Sequence, residues 1–177
     1  MTQFNWNNTS ALITQGYREL NQRLHDQGNY GRRGDKWARK VEEIVAEFNP
    51  STILDYGCGQ GALARALPYA IEEYDPAIEH KSRVPSPADL VVCTDVLEHV
   101  EPHLLENVLD HLAALSKRVL FCVVSTRPAK KLLEDGRNAH LIVQDQDFWR
   151  PLFEQRFKIH SWVFHGDEFS GIFTVET

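Results

Sequence analysis

The stretch ILDYGCGQGAL at residues 53–63 packs three of the chain's ten glycines, Gly57, Gly59 and Gly61, into five positions. A tight turn needs one glycine; three in alternation leave the backbone open to close approach by something other than protein. Ahead of them residues 52–56 form a short β-branched and apolar run, a predicted buried strand. Behind them residues 62–67 read as a short helix stopped by Pro68. Strand, glycine loop and helix in that order predict the opening unit of an α/β sheet.

The rest of the chain repeats the pattern. From Lys36 onward Trp37, Val41, Ile44, Val45 and Phe48 follow one helical stripe that ends before Asn49-Pro50. Residues 70–74 and 89–94 are further strands, each followed by an aspartate, Asp75 and Asp95. After Pro102 a helix places Leu104, Leu105, Val108, Leu109 and Leu112 on one face, with Glu106, Asn107, Asp110 and His111 opposite. RVLFCVV is another buried strand. Residues 147–155 read as a helix in which Pro151 requires either a start near Asp147 or a kink. KIHSWVFH and FSGIFTVE close the chain as an antiparallel pair. The expectation is one doubly wound, Rossmann-like α/β domain over residues 1–177, mostly parallel with a C-terminal antiparallel hairpin. Residues 36–177 form its core and residues 1–35 a helical lid or acceptor segment.

Ligands of such sheets bind beyond the carboxyl ends of the strands, where the glycine loop lies and where the next helix points free N–H groups. A dinucleotide loop would read G-x-G-x-x-G. Here it reads G-x-G-x-G, with Asp55 two positions earlier and Asp75 18 residues after Gly57, near the offset of a ribose-binding carboxylate.

These residues, with DVLEHV at residues 95–100, resemble the class I S-adenosylmethionine-dependent methyltransferases over about residues 36–177. The resemblance implies S-adenosylmethionine as donor and S-adenosylhomocysteine as product. It implies a cofactor set of Asp55, Tyr56, Gly57, Cys58, Gly59, Gly61, Asp75 and Asp95, in which Asp55 orients the ammonium group and Asp75 holds the ribose hydroxyls. In-line transfer from a sulfonium needs donor and acceptor held in line and a base for the acceptor, and no covalent nucleophile. One departure stands out. Thirteen residues, 76–88, separate Asp75 from the next strand, and a parallel crossover alone takes about a dozen. The family's third strand and its helices are therefore expected to be absent or reduced to a loop, leaving about six strands, and the residue that usually meets adenine has no counterpart.

Glu98, His99 and the distant His140 are the catalytic candidates, an imidazole being a suitable general base near neutrality. Asp95, Glu98, His99 and His140 also resemble the ligand set of metal-assisted small-RNA 2'-O-methyltransferases, although no metal is the favoured expectation. Glu98 and His99 as mere loop braces is the plain alternative. The segment NYGRRGDKW, with Tyr30, Gly31, Gly34, Lys36 and Trp37, is a candidate lid, and Arg127 and Lys130 are candidate contacts for an anionic acceptor.

Nineteen basic against twenty-five acidic residues give a net charge of −6, which disfavours a nucleic-acid partner. GRRGDKWARK is the one local basic patch in view. Cys58, Cys93 and Cys122 sit in apolar stretches and suit reduced thiols, and no leader or membrane span is read, so the expected place is the cytoplasm. The expected activity is methyl transfer to oxygen or nitrogen of a small-molecule or glycan-like acceptor. A metal-assisted nucleic-acid 2'-O-methyltransferase and a non-catalytic cofactor sensor are the alternatives.

Overall fold

Alternation along each strand sorts the apolar side chains into two cores, one on either face of a single sheet. The computed structural model describes residues 12–26 and 34–175. Strands β1 (Ile53–Tyr56), β2 (Ile71–Tyr74), β3 (Ala88–Thr94), β4 (Ser116–Ser125), β5 (Lys158–Phe164) and β6 (Glu168–Thr174) form the order β2-β1-β3-β4-β6-β5. β1, β2, β3 and β4 pair in parallel, and β6 runs antiparallel to both β4 and β5.

Ile53, Leu90, Val92, Phe121 and Val123 face Val41 and Ile44 of α2 (Ala38–Phe48) and Leu63 of α3 (Ala62–Ala66). Leu54, Val91, Cys93, Leu120 and Cys122 face the other way. They pack with Val108, Leu109 and Leu112 of α4 (Leu105–Leu115) and Trp149 and Phe153 of α5 (Gln146–Glu154). The expected doubly wound sheet with six strands is what forms. Between β2 and β3 only a 3-10 turn, Glu79–Lys81, interrupts the loop, so among the described residues the sheet ends at β2 with no third strand beyond it. The remaining helix, α1 (Gln15–Asp26), precedes the sheet.

One local expectation changes. His111 is buried rather than on the solvent face: Leu104, Val108, His111 and Leu115 follow i, i+4, i+7, i+11 spacing, so it falls on the apolar stripe. Its Nδ1 lies 3.0 Å from the Tyr56 hydroxyl, and burial pushes its pKa down to about 4. The start expected near Asp147 is what forms, since α5 begins at Gln146 and Pro151 stands inside it. Asp145 caps that helix by accepting from the Asp147 and Phe148 N–H groups, and the helix runs through the proline.

Phe153 is fully buried and stacks on Phe173 with ring centroids 4.4 Å apart. Phe153→Ala should cost about 3–5 kcal/mol in equilibrium denaturation. A loss below about 1 kcal/mol would mean that this face of the sheet collapses around the gap.

Candidate active site

The cleft at the carboxyl ends of β1, β3 and β4 has a volume of about 370 Å³, within the range of small-molecule sites. Its floor begins at the glycine loop. Gly57 and Cys58 both donate N–H to the Tyr74 carbonyl, at 2.7 and 3.1 Å. Gly57 has φ +75°, and a β-carbon there would overlap Val96, so glycine is required both by conformation and by the approach of the β3 loop. Asp75 completes the loop's support. One carboxylate oxygen accepts from Gly59 N–H at 3.0 Å and the other from Ala77 N–H at 2.9 Å. Each oxygen retains lone-pair capacity for a further donor.

Asp55, Tyr56, Gly57, Cys58, Gly59, Asp75 and Asp95 all line the cleft, and Gly61 does not. Gly61 adopts φ +73° at the start of α3, where a β-carbon would collide with the Glu73 carboxylate. Asp55 is 4 % exposed. Burial, with Glu73 and Asp75 adding and Lys81 opposing, pushes its carboxyl up to about 7. Burial likewise raises the Cys58 thiol far above its ordinary value, which suits an inert side chain.

The opposite wall is built by two loops that zip together. Asn138 exchanges two hydrogen bonds with the Ala129 backbone, both 2.9 Å, and accepts from His140 N–H at 2.9 Å. Ile142 N–H donates to the Glu98 carbonyl, and His99 Nδ1 donates to the Ala139 carbonyl at 2.7 Å. His140 Nδ1 donates to the Arg127 carbonyl at 2.6 Å. The two imidazoles meet edge to face, 4.7 Å between centroids. With Nδ1 bearing the proton in both rings, Nε2 is the basic nitrogen in the neutral form. Burial lowers the His140 pKa, with Arg127 adding to the lowering and its carbonyl opposing.

Glu98 is fully buried; one oxygen accepts from Ser125 N–H at 3.1 Å and Oε2 has no hydrogen-bond partner. Burial, with the charge of Asp95 adding, pushes its carboxyl up to about 8. Glu98, His99 and His140 each place a ligating atom within 4.8 Å of the others. Asp95 is not in that group. It sits at φ +56°, at the end of β3, and pairs with Lys36 at 3.1 Å.

Lys36 also reaches Glu168 at 3.3 Å. Burial works against its charge, and the Asp95 and Glu168 carboxylates outweigh it, so its pKa is raised. Gly34 and Lys36 of the expected lid line the cleft, while Tyr30 and Gly31, like Arg32 and Arg33 of the basic patch, lie outside the described residues. Arg127 lines the cleft and pairs with Asp167; Lys130 is not among the lining residues.

Sequence reading missed Leu12, Ile13, Tyr17 and Asn21, which close the cleft from the N-terminal side, and Glu101, which holds them. Thr14 donates N–H and hydroxyl to Glu101, both 2.8 Å, and Tyr17 donates its hydroxyl to the His99 carbonyl at 2.6 Å. Partners more than eighty positions apart leave no local signal in the sequence.

The elevated Asp55 value fixes a sign. The folded state holds a proton that an unfolded aspartate releases near pH 4, so ionising Asp55 costs stability as pH rises from about 4 to about 7. Asp55→Asn removes that cost. The variant's stability relative to wild type should rise between pH 5 and 7 by about 1 kcal/mol per unit; a pH-independent difference in parallel urea titrations would refute the shift.

Comparison with known proteins agrees with this geometry. A family model described as a methyltransferase domain matches residues 30–174. No curated protein matches the chain. Among solved structures, one similar fold is the 1,6-didemethyltoxoflavin-N1-methyltransferase of Burkholderia thailandensis with bound 1,6-didemethyltoxoflavin and S-adenosylhomocysteine. It has a TM-score of 0.62 and 12% identity over 92% of this chain and 90% of that one. A second is the methyltransferase domain of bacterial-CtHen1-CN, with a TM-score of 0.58 and 14% identity over 80% and 100%. A third is the N-methyltransferase NodS of Bradyrhizobium japonicum WM9 with S-adenosyl-L-homocysteine, with a TM-score of 0.53 and 16% identity over 78% and 86%. Among the described residues no helix is long and apolar enough to cross a membrane. With the glycine loop, the acidic strand ends and a domain match spanning most of its length, the chain belongs to the class I S-adenosylmethionine-dependent methyltransferases.

Proposed function

We propose that this enzyme methylates oxygen or nitrogen of a small molecule, with His140 or His99 as the base. The observation that carries the reading is that the glycine loop and Asp75 lie in one cleft with the two Nδ1-tethered imidazoles. The donor's methionine end lies along Gly57 and Gly59, its ammonium faces Asp55, and Asp75 receives the ribose hydroxyls. The acceptor enters beside His99, His140 and Arg127. As its lone pair attacks the methyl carbon, the sulfonium C–S bond breaks and the acceptor's proton passes to Nε2. The sulfide leaves neutral, and the imidazolium releases its proton to solvent. Lowering of the His140 pKa by burial keeps that ring neutral at pH 7, the state a base requires. The toxoflavin enzyme, which holds 1,6-didemethyltoxoflavin beside S-adenosylhomocysteine, supports a small acceptor, and the net charge of −6 supports it over a polyanion. The N-terminal segment, with Lys36 across Asp95 and Glu168, serves as the cover of this cleft.

Calorimetric titration tests the donor half. S-adenosylhomocysteine should bind, and Asp75→Ala should weaken it by about tenfold or more through the lost carboxylate hydrogen bonds. At pH 6.5 a cation beside Asp55 should expel its proton, so the observed enthalpy should depend on the ionisation enthalpy of the buffer, and Asp55→Asn should abolish that dependence. No binding of S-adenosylhomocysteine would end the reading.

A second reading, metal assistance, rests on the Glu98, His99 and His140 group. These residues fit a divalent cation: Oε2 of Glu98 is buried without a partner, and both imidazoles carry the outer hydrogen bond to a carbonyl that orients ligating rings. A cation bound there would polarise an acceptor hydroxyl. Magnesium, manganese or zinc added to chelator-treated protein should then raise its melting temperature, and His140→Ala should erase the rise. No shift with any of the three leaves the imidazole base alone.

A further inference from the structure

Among the described residues the sheet ends at β2, so no strand beyond it walls the space where a purine would continue past the ribose at Asp75. The cleft does not end there. Pro76 and Ala77, directly after Asp75, line it together with the apolar side chains of Leu12, Ile13, Val100 and Val108, here called its apolar lobe. Ala77 shares a buried cluster with Ile13 and Tyr17. The segment that enters α1 therefore packs against the loop that follows β2.

We infer that this N-terminal segment is the purine-binding wall of the enzyme: the adenine of the donor lies between Ile13 and Leu12 on one side and Ala77, Val100 and Val108 on the other. The inference rests on the donor reading above. Three features support it. The lobe adjoins the ribose carboxylate, and adenine is attached directly to that sugar. Its lining is aliphatic, which suits a flat aromatic face. The wall is held by directional bonds rather than by packing alone, through Thr14 on Glu101, Tyr17 on the His99 carbonyl and Asn21 on the Tyr17 carbonyl at 2.9 Å. The His99 tie also joins the purine wall to the acceptor side of the cleft.

The test compares S-adenosylhomocysteine with S-ribosyl-L-homocysteine, the same molecule without its purine, by calorimetry on the full chain. Ile13→Asp should weaken S-adenosylhomocysteine roughly tenfold or more, by placing a carboxylate against the purine, and leave S-ribosyl-L-homocysteine unchanged. That unchanged affinity reports an intact fold. Ile13→Val should retain near wild-type affinity for both. Asp75→Ala should weaken both ligands. Equal losses of the two ligands in Ile13→Asp, or no loss of either, overturn the purine wall while Asp75→Ala still upholds the donor site. Failure of the wild type to bind S-adenosylhomocysteine overturns both.

Discussion

The carboxylate of Asp75 is the pivot of this molecule. It ends the edge strand, and from there it accepts one N–H from the glycine loop and one from Ala77 on its own loop. The Tyr74 carbonyl next to it accepts two more N–H groups, from Gly57 and Cys58. Four backbone donors are thus satisfied at the tip of β2, which holds the glycine loop open in a shape that its own short sequence could not keep. A buried loop with those donors unpaired would cost about 1–3 kcal/mol for each. The floor of the cleft exists because β2 ends where it does.

The histidine wall of the cleft depends on a different device. The segment after β3 holds only short 3-10 turns, one of them Leu97–His99, and hydrogen bonds from Ile142 to Glu98 and from His99 to Ala139 join it to the loop after β4. Both histidines donate from Nδ1 to carbonyls, so both carry their basic nitrogen in the same tautomer. Glu98 beneath them is deprived of water and raised to about 8. A neutral acid beneath two imidazoles tethered through Nδ1 makes a polar wall in which burial disfavours charge on Glu98 and His140.

Much of this was legible in the residues. The strands at residues 52–56, 70–74 and 89–94 and the terminal hairpin follow from apolar runs punctuated by glycine, proline and aspartate, because backbone pairing and period-two burial act locally. The loss of the third strand was legible by counting, since thirteen residues cannot cross a sheet twice. His111 was misplaced because a helical stripe admits one polar residue when a partner waits on the sheet, and Tyr56 is fifty-five positions away. Asp95 was grouped with Glu98 and the histidines by proximity in sequence; its left-handed backbone and its pairing with Lys36 set it apart.

By itself the sequence determined the alternation of strand and helix, the glycine loop, the acidic strand ends and the class of donor, all encoded over spans of a few to about twenty residues. Tertiary structure alone decided which distant groups meet. It set His99 against His140, Glu101 under Thr14, and Leu12, Ile13 and Tyr17 along the cleft. The physical reason is range: backbone propensity and periodicity act between near neighbours, whereas a site is made by hydrogen bonds between residues tens of positions apart, which exist only once the sheet has ordered its strands.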